Sequence, residues 1–340
     1  MKSRSMRLIQ SAALASTLVA SVFTFVGGNA TAASAASKKY TIAFVVGAEA
    51  DPFFQSMFVG ASAEATKDGI NLIWQGNPVQ YSPATQIPVV NQVLALKPSA
   101  LVIAPTDTKA LNAVIAGAVK SHIPVFNVDS GSSVQSNIIS WVTGNNNDGG
   151  VKAADALASA MNYTTACTAS SKCTVAVAVS SITTSTDAAR LAGFNSEIAA
   201  KYPNIVALNP VVSNSQPSVA TSGIASAISA HNLKGVFAID GTDLEGASAA
   251  ISAAGAAGAN IKVVGYDAYT TTIADMKAGK VAAIIAQQPT LEGSSIIAAA
   301  YKYLKQGNAK GIQHLVTLPN FVLTPASSAA DLAAYTYQAA

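Results

Sequence analysis

Apolar residues in this chain fall in short blocks rather than one continuous stripe. Blocks rich in β-branched residues cover 41–46, 71–74, 100–103 and 124–128. Between them, 52–67, 84–96 and 109–120 carry apolar residues at helical spacing. Short apolar strands separated by helices predict a parallel sheet covered on both faces. The alternation resumes with strands expected at 174–179, 205–208, 235–239 and 261–264, and helices at 187–201, 217–231 and 244–257.

The two runs resemble each other in detail. Thr106-Asp107 follows one strand, and after a helix the next strand ends in Asp129. Thr242-Asp243 follows another strand, and after a helix the next ends in Asp267. Thr106 to Thr242 spans 136 positions, Asp129 to Asp267 spans 138, and Thr41 to Thr174, which open the leading strands, spans 133. That period is far too long for a solenoid and predicts two lobes with the same wiring. The fold class expected is α/β: two doubly wound parallel-sheet lobes, joined by a three-segment hinge, with a ligand cleft between them. The expected boundaries are 38–143 plus about 288–306 for the N-terminal lobe and 144–287 plus about 307–325 for the C-terminal lobe. Residues 326–340 are left as a C-terminal tail.

The first 36 residues read as a signal peptide. Lys2, Arg4 and Arg7 precede an apolar stretch over 12–26, and Ala30-Thr31-Ala32 and Ala33-Ser34-Ala35 offer cleavage patterns. That order is secretory, and the apolar stretch is short for a membrane span. Export to the periplasm or cell exterior is therefore expected, without a lipid anchor, because no cysteine stands near the cleavage region. Both cysteines, Cys167 and Cys173, lie far downstream. An oxidising compartment permits a disulfide between them; no histidine is near enough in sequence to suggest a metal site.

Composition narrows the partners. The chain is 50% hydrophobic and only 11% charged, which excludes intrinsic disorder. A net charge of +3 with no basic run gives no argument for nucleic acid. Enzyme signatures are scarce: there is no dinucleotide-binding or phosphate-binding glycine loop, no nucleophile elbow and no zinc-binding helix motif. No catalytic residue, cofactor or metal is expected.

Polar and aromatic residues do gather at the C-terminal ends of strands, the edge where open parallel sheets bind ligands. Asp51-Pro52-Phe53-Phe54 follows the first strand. Asp51 suits a helix N-cap and Pro52 the first helical position. A phenyl face suits the C–H face of a sugar ring, while carboxylates accept from its hydroxyls.

These residues carry a resemblance. The chain resembles the periplasmic sugar-binding proteins of the ribose/galactose class, the type 1 solute receptors of ABC importers, over about 39–323. The resemblance rests on the opening 41–46 with 51–54, Ala104-Pro-Thr-Asp107, Ile123-Pro-Val through Asp129, Arg190-Leu-Ala-Gly-Phe194, Val263-Val-Gly-Tyr-Asp267 and Ala282 to Gln287, in order and at similar spacing. It implies a ligand site of Asp51, Phe53, Phe54, Asp129, Arg190, Asp240, Asp267 and Gln287. Asp51, Asp129, Asp240 and Asp267 would meet hydroxyls, Phe53 and Phe54 would stack, Arg190 would donate, and Gln287 would stand at the hinge. Two departures put ribose itself in question. Ser130 stands where ribose binders carry an arginine, and Val212-Ser213-Asn214 replaces an expected aromatic. The implied function is capture of a monosaccharide or polyol, by a monomer, for delivery to a membrane permease. The alternatives are a receptor for a chemoreceptor or sensor kinase, or an exported sugar-processing enzyme.

Overall fold

The computed structural model describes residues 40–338; the export segment read over 1–36 lies outside the described residues. The chain opens with β1 (Thr41–Ala48), α1 (Pro52–Asp68), β2 (Asn71–Asn77), α2 (Pro83–Ala95), β3 (Ala100–Ile103), α3 (Asn112–Lys120), β4 (Val125–Val128) and β5 (Ile138–Gly144). It continues with α4 (Asn146–Ala160), α5 (Tyr163–Ala166), β6 (Cys173–Val179), α6 (Ser185–Lys201), β7 (Ile205–Ala207), β8 (Val211–Val212), α7 (Pro217–Ala230) and β9 (Leu233–Ala238). Next come α8 (Gly241–Ala253), β10 (Lys262–Tyr266), α9 (Thr270–Lys277) and β11 (Ala283–Ala286). It ends with α10 (Pro289–Gln306), β12 (Leu315–Leu318), β13 (Phe321–Leu323) and α11 (Ala329–Tyr335).

Two sheets form. The first runs β12-β5-β4-β3-β1-β2, all parallel, and the second β13-β11-β10-β9-β6-β7, parallel except at β13, with β8 also against β6. The wiring β2-β1-β3-β4-β5 repeats as β7-β6-β9-β10-β11, so the duplication expected from spacing is present in the topology. Strand burial explains the apolar blocks. In β1, Ile42, Phe44 and Val46 fill one face while Ala43 and Val45 fill the other. A strand buried on both faces has no polar side to alternate with.

The chain passes between the sheets three times, after β5, after β11 and after β12. The three crossings meet: a Cβ built on Gly144 would lie 3.2 Å from both Gln287 Oε1 and Asn320 Oδ1. One boundary needs correction. The segment 307–325, expected wholly in the second lobe, is divided: β12 pairs in parallel with β5 of the first, Leu315 opposite Trp141. Its exposed, alternating edge-strand pattern gives no apolar block to read. The last stretch is also more than a tail. After α11, Tyr337 N donates to Ala268 O, and Ser56 Oγ of α1 donates to Gln338 O, so the end of the chain touches both lobes.

Cys167 and Cys173 are joined, closing the loop between α5 and β6. No helix among the described residues is long and apolar enough to cross a membrane.

Candidate functional site

The site grows from strand ends. Beyond β1, Asp51 caps α1: its Oδ1 accepts from Phe53 N at 2.8 Å, and Pro52 takes the first turn, where no N–H is required. This cap aims both phenylalanines at the sheet edge. Phe53 and Phe54 meet edge to face at 5.3 Å, and Phe54 lies parallel to Tyr81 at 6.4 Å. At the ends of β4 and β10, Asp129 and Asp267 both adopt left-handed backbone, with φ of 55° and 73°. Such strain in a residue with a Cβ concentrates at functional sites. Here it occurs at the same point of each repeat.

All eight ligand residues expected from sequence line one cleft between the lobes. Tyr81, Ser180, Thr186, Asp187 and Ser215 complete the wall. The lobes touch around it. Tyr269 OH, on the second lobe, donates to Asp51 Oδ1 at 2.5 Å; Thr184 Oγ1 donates to Thr106 O at 2.9 Å; Gly131 N donates to Ser185 Oγ at 2.7 Å.

Arg190 organises the second-lobe side. Its Nε donates to Asn146 Oδ1, Nη1 to Asp240 Oδ1 and Ile239 O, and Nη2 to Gln287 Oε1, all within 3.1 Å. Its guanidinium lies 4.1 Å from the centre of the Tyr266 ring. Gln287 passes the network on: its Nε2 donates to Asp267 Oδ1 at 2.7 Å. Asp267 also accepts from Gly241 N at 2.9 Å and from Tyr337 OH at 2.9 Å. Asp240 accepts from Ser180 N at 3.1 Å besides Arg190. Asp129 differs. It is only 5% exposed, and no donor among the described residues reaches its buried Oδ1.

So many carboxylates in a dry space disfavour ionisation. Burial pushes Asp51 up to about 7, partly countered by the Tyr269 hydrogen bond and reinforced by the charge of Asp267. Burial pushes Asp129 to about 7 as well; Arg190 pulls it down, while Asp267, Asp240 and Asp51 push it up. Asp267 is raised, and Asp187 well raised, chiefly by burial. For Arg190 burial works against the charge, but Asp240 and its neighbours outweigh it and hold the guanidinium protonated.

Several contributors escaped the sequence. Asp187 stands three residues before Arg190 on α6, a spacing that shares a helix face and could have exposed it. Tyr269 lies two residues beyond Asp267. Tyr337 had no signal, being one of two tyrosines in an alanine-rich end. In the serine- and threonine-rich stretch 180–186, Thr186 lines the cleft, while Thr184 is spent on the Thr106 carbonyl. Ser130 Oγ donates to Pro105 O at 2.8 Å.

Two parallel doubly wound lobes, crossed three times and enclosing a polar cleft, define a bilobed ligand-binding protein. The chain belongs to the periplasmic binding protein family, whose domain model matches residues 42–309. It is 30% identical over 288 residues to the ribose import binding protein of Salmonella typhimurium, covering 84% of this chain and 92% of that protein. The D-ribose/D-allose-binding protein of Pseudomonas aeruginosa is 30% identical over 299 residues, 83% of this chain and 90% of that one. Among solved structures, an Agrobacterium vitis ABC transporter solute-binding protein bound with α-D-tagatopyranose superposes with a TM-score of 0.82. It is 30% identical and is matched over 88% of this chain and 100% of its own.

Proposed function

We propose that the protein, as a monomer outside the cytoplasmic membrane, captures a monosaccharide or polyol in the interlobe cleft and delivers it to an ABC-type permease. The observation that carries this reading is the convergence of acceptors and aromatic faces from both lobes on one cleft. Carboxylates accept from ring hydroxyls, and Phe53, Phe54 and Tyr81 offer flat apolar faces to C–H groups. The relatives that bind ribose, allose and tagatose support it. Ligand bridging both lobes binds the closed arrangement more tightly and shifts the population toward it. No chemistry on the ligand is required. Export through residues 1–36, without a lipid anchor, accords with the family and with the placement of both cysteines in one disulfide.

A thermal-shift screen against monosaccharides and polyols tests this. A true ligand stabilises the protein by about 2.7 kcal/mol at a hundredfold excess over Kd and is recovered unchanged after denaturation. Chemical conversion of the sugar, or no stabilisation by any member of either class, overturns the reading.

A further inference from the structure

The cleft is rich in acceptors and poor in donors. Five carboxylates line it, Asp51, Asp129, Asp187, Asp240 and Asp267, with Arg190 as the lone cationic side chain of the wall. That cation is largely committed: four of its five N–H groups go to Asn146, Ile239, Asp240 and Gln287. Gln287 gives one amide N–H to Asp267, and Thr186 its hydroxyl to Asp187. Behind the cleft Glu292 is fully buried with no donor among the described residues at either oxygen, near enough to feel the charge of Asp129. Asp129 itself keeps a buried oxygen that no described residue satisfies.

A ligand that brings donors and positive charge suits this wall, and its charge draws the buried carboxyls back to their ionised, accepting form. A hydroxyl brings one donor, but its oxygen then asks for a donor in return, and this wall holds fewer donors than acceptors. An ammonium group brings three donors and asks for none. It also suits the faces of Phe53, Phe54 and Tyr81, which attract cations. We infer that the ligand is an amine-bearing sugar or amino polyol, its ammonium group seated on Asp129 among the cleft carboxylates. This rests on the proposed capture of a sugar or polyol and specifies its class.

The test uses matched probes in calorimetric titrations of the full chain. D-Glucosamine, D-galactosamine, D-mannosamine and 1-amino-1-deoxy-D-ribitol are each compared with the neutral parent, and each hexosamine also with its N-acetyl form. At least one amine should bind about tenfold or more tightly than both neutral counterparts, the margin of a charge-assisted over a neutral hydrogen bond. In Asp129→Asn that preference should largely vanish, with far-UV circular dichroism unchanged. If neutral parents bind in the cleft as tightly as every amine, the cationic assignment is overturned while sugar capture stands. An amine preference that survives intact in both Asp129→Asn and Asp129→Ser also overturns it. Binding by no sugar or polyol, charged or neutral, overturns the capture reading and this inference together.

Discussion

Asp129 shows how a single residue can be legible in sequence and still surprise. Its position at a strand end, repeated at Asp267, marked it as a site residue; its lack of a donor could not be read, because satisfaction depends on what packs around it. The same holds for Asp51, whose capping role follows from Asp-Pro but whose bond to Tyr269 joins residues 218 positions apart. Both carboxyls are pushed from 3.8 up to about 7. The folded chain therefore holds these protons to near neutrality, whereas the unfolded chain releases them near pH 4. The resulting stabilisation is complete below about pH 4 and is lost as pH rises through about 7. In differential scanning calorimetry of ligand-free protein, these groups should make the melting temperature fall between pH 5.5 and pH 8. Asp129→Asn should flatten that slope; a wild-type slope of opposite sign, or one untouched by the substitution, speaks against the assignment.

At the scale of elements, each lobe rests on a helix pair that glycine brings into close contact. Where α1 crosses α10, a Cβ on Gly60 would lie 1.9 Å from Thr290 O, and one on Gly293 2.2 Å from Met57 O. Where α4 crosses α6, a Cβ on Gly150 would lie 2.0 Å from Arg190 O, and one on Gly193 2.0 Å from Asn147 O. These contacts put backbone against backbone, so nothing flexible can yield. Gly60→Ala should cost about 1–3 kcal/mol, the range of core overpacking, read as a lower urea midpoint at unchanged slope. A neutral effect would mean that the helices can slide apart. Central strands and amphipathic helices were legible because burial on both faces leaves an unbroken apolar run. β5 was not, since Ser140, Trp141 and Thr143 interrupt it, and neither was α4, whose first turn is polar and carries Gly149 and Gly150. Both elements are bounded by a crossing, where sequence answers to the hinge as well as to the core.

For the whole molecule, the repeat distance foretold two lobes of common wiring, but not that β12 would return to the first sheet. Edge strands bury little, so their sequence carries little pattern. Three crossings restrict the relative motion of the lobes to hinging about the cleft. Small-angle scattering should show a smaller radius of gyration with ligand than without, at unchanged secondary structure. Tight ligand binding to an open form with no compaction would confine the site to one lobe and return the paired aspartates to turn-forming roles. The end of the chain takes part in that motion. Tyr337 hydrogen-bonds Asp267 and the Gln287 backbone on the second lobe, while its ring meets Phe53 of the first at 5.9 Å, and Gln338 accepts from Ser56. Any parting of the lobes has to pull this segment from one of them. To an engineer, residue 338 is therefore an attachment point already wired to occupancy: an environment-sensitive dye placed there reads sugar concentration without entering the cleft, and a rigid fusion placed there props the receptor open.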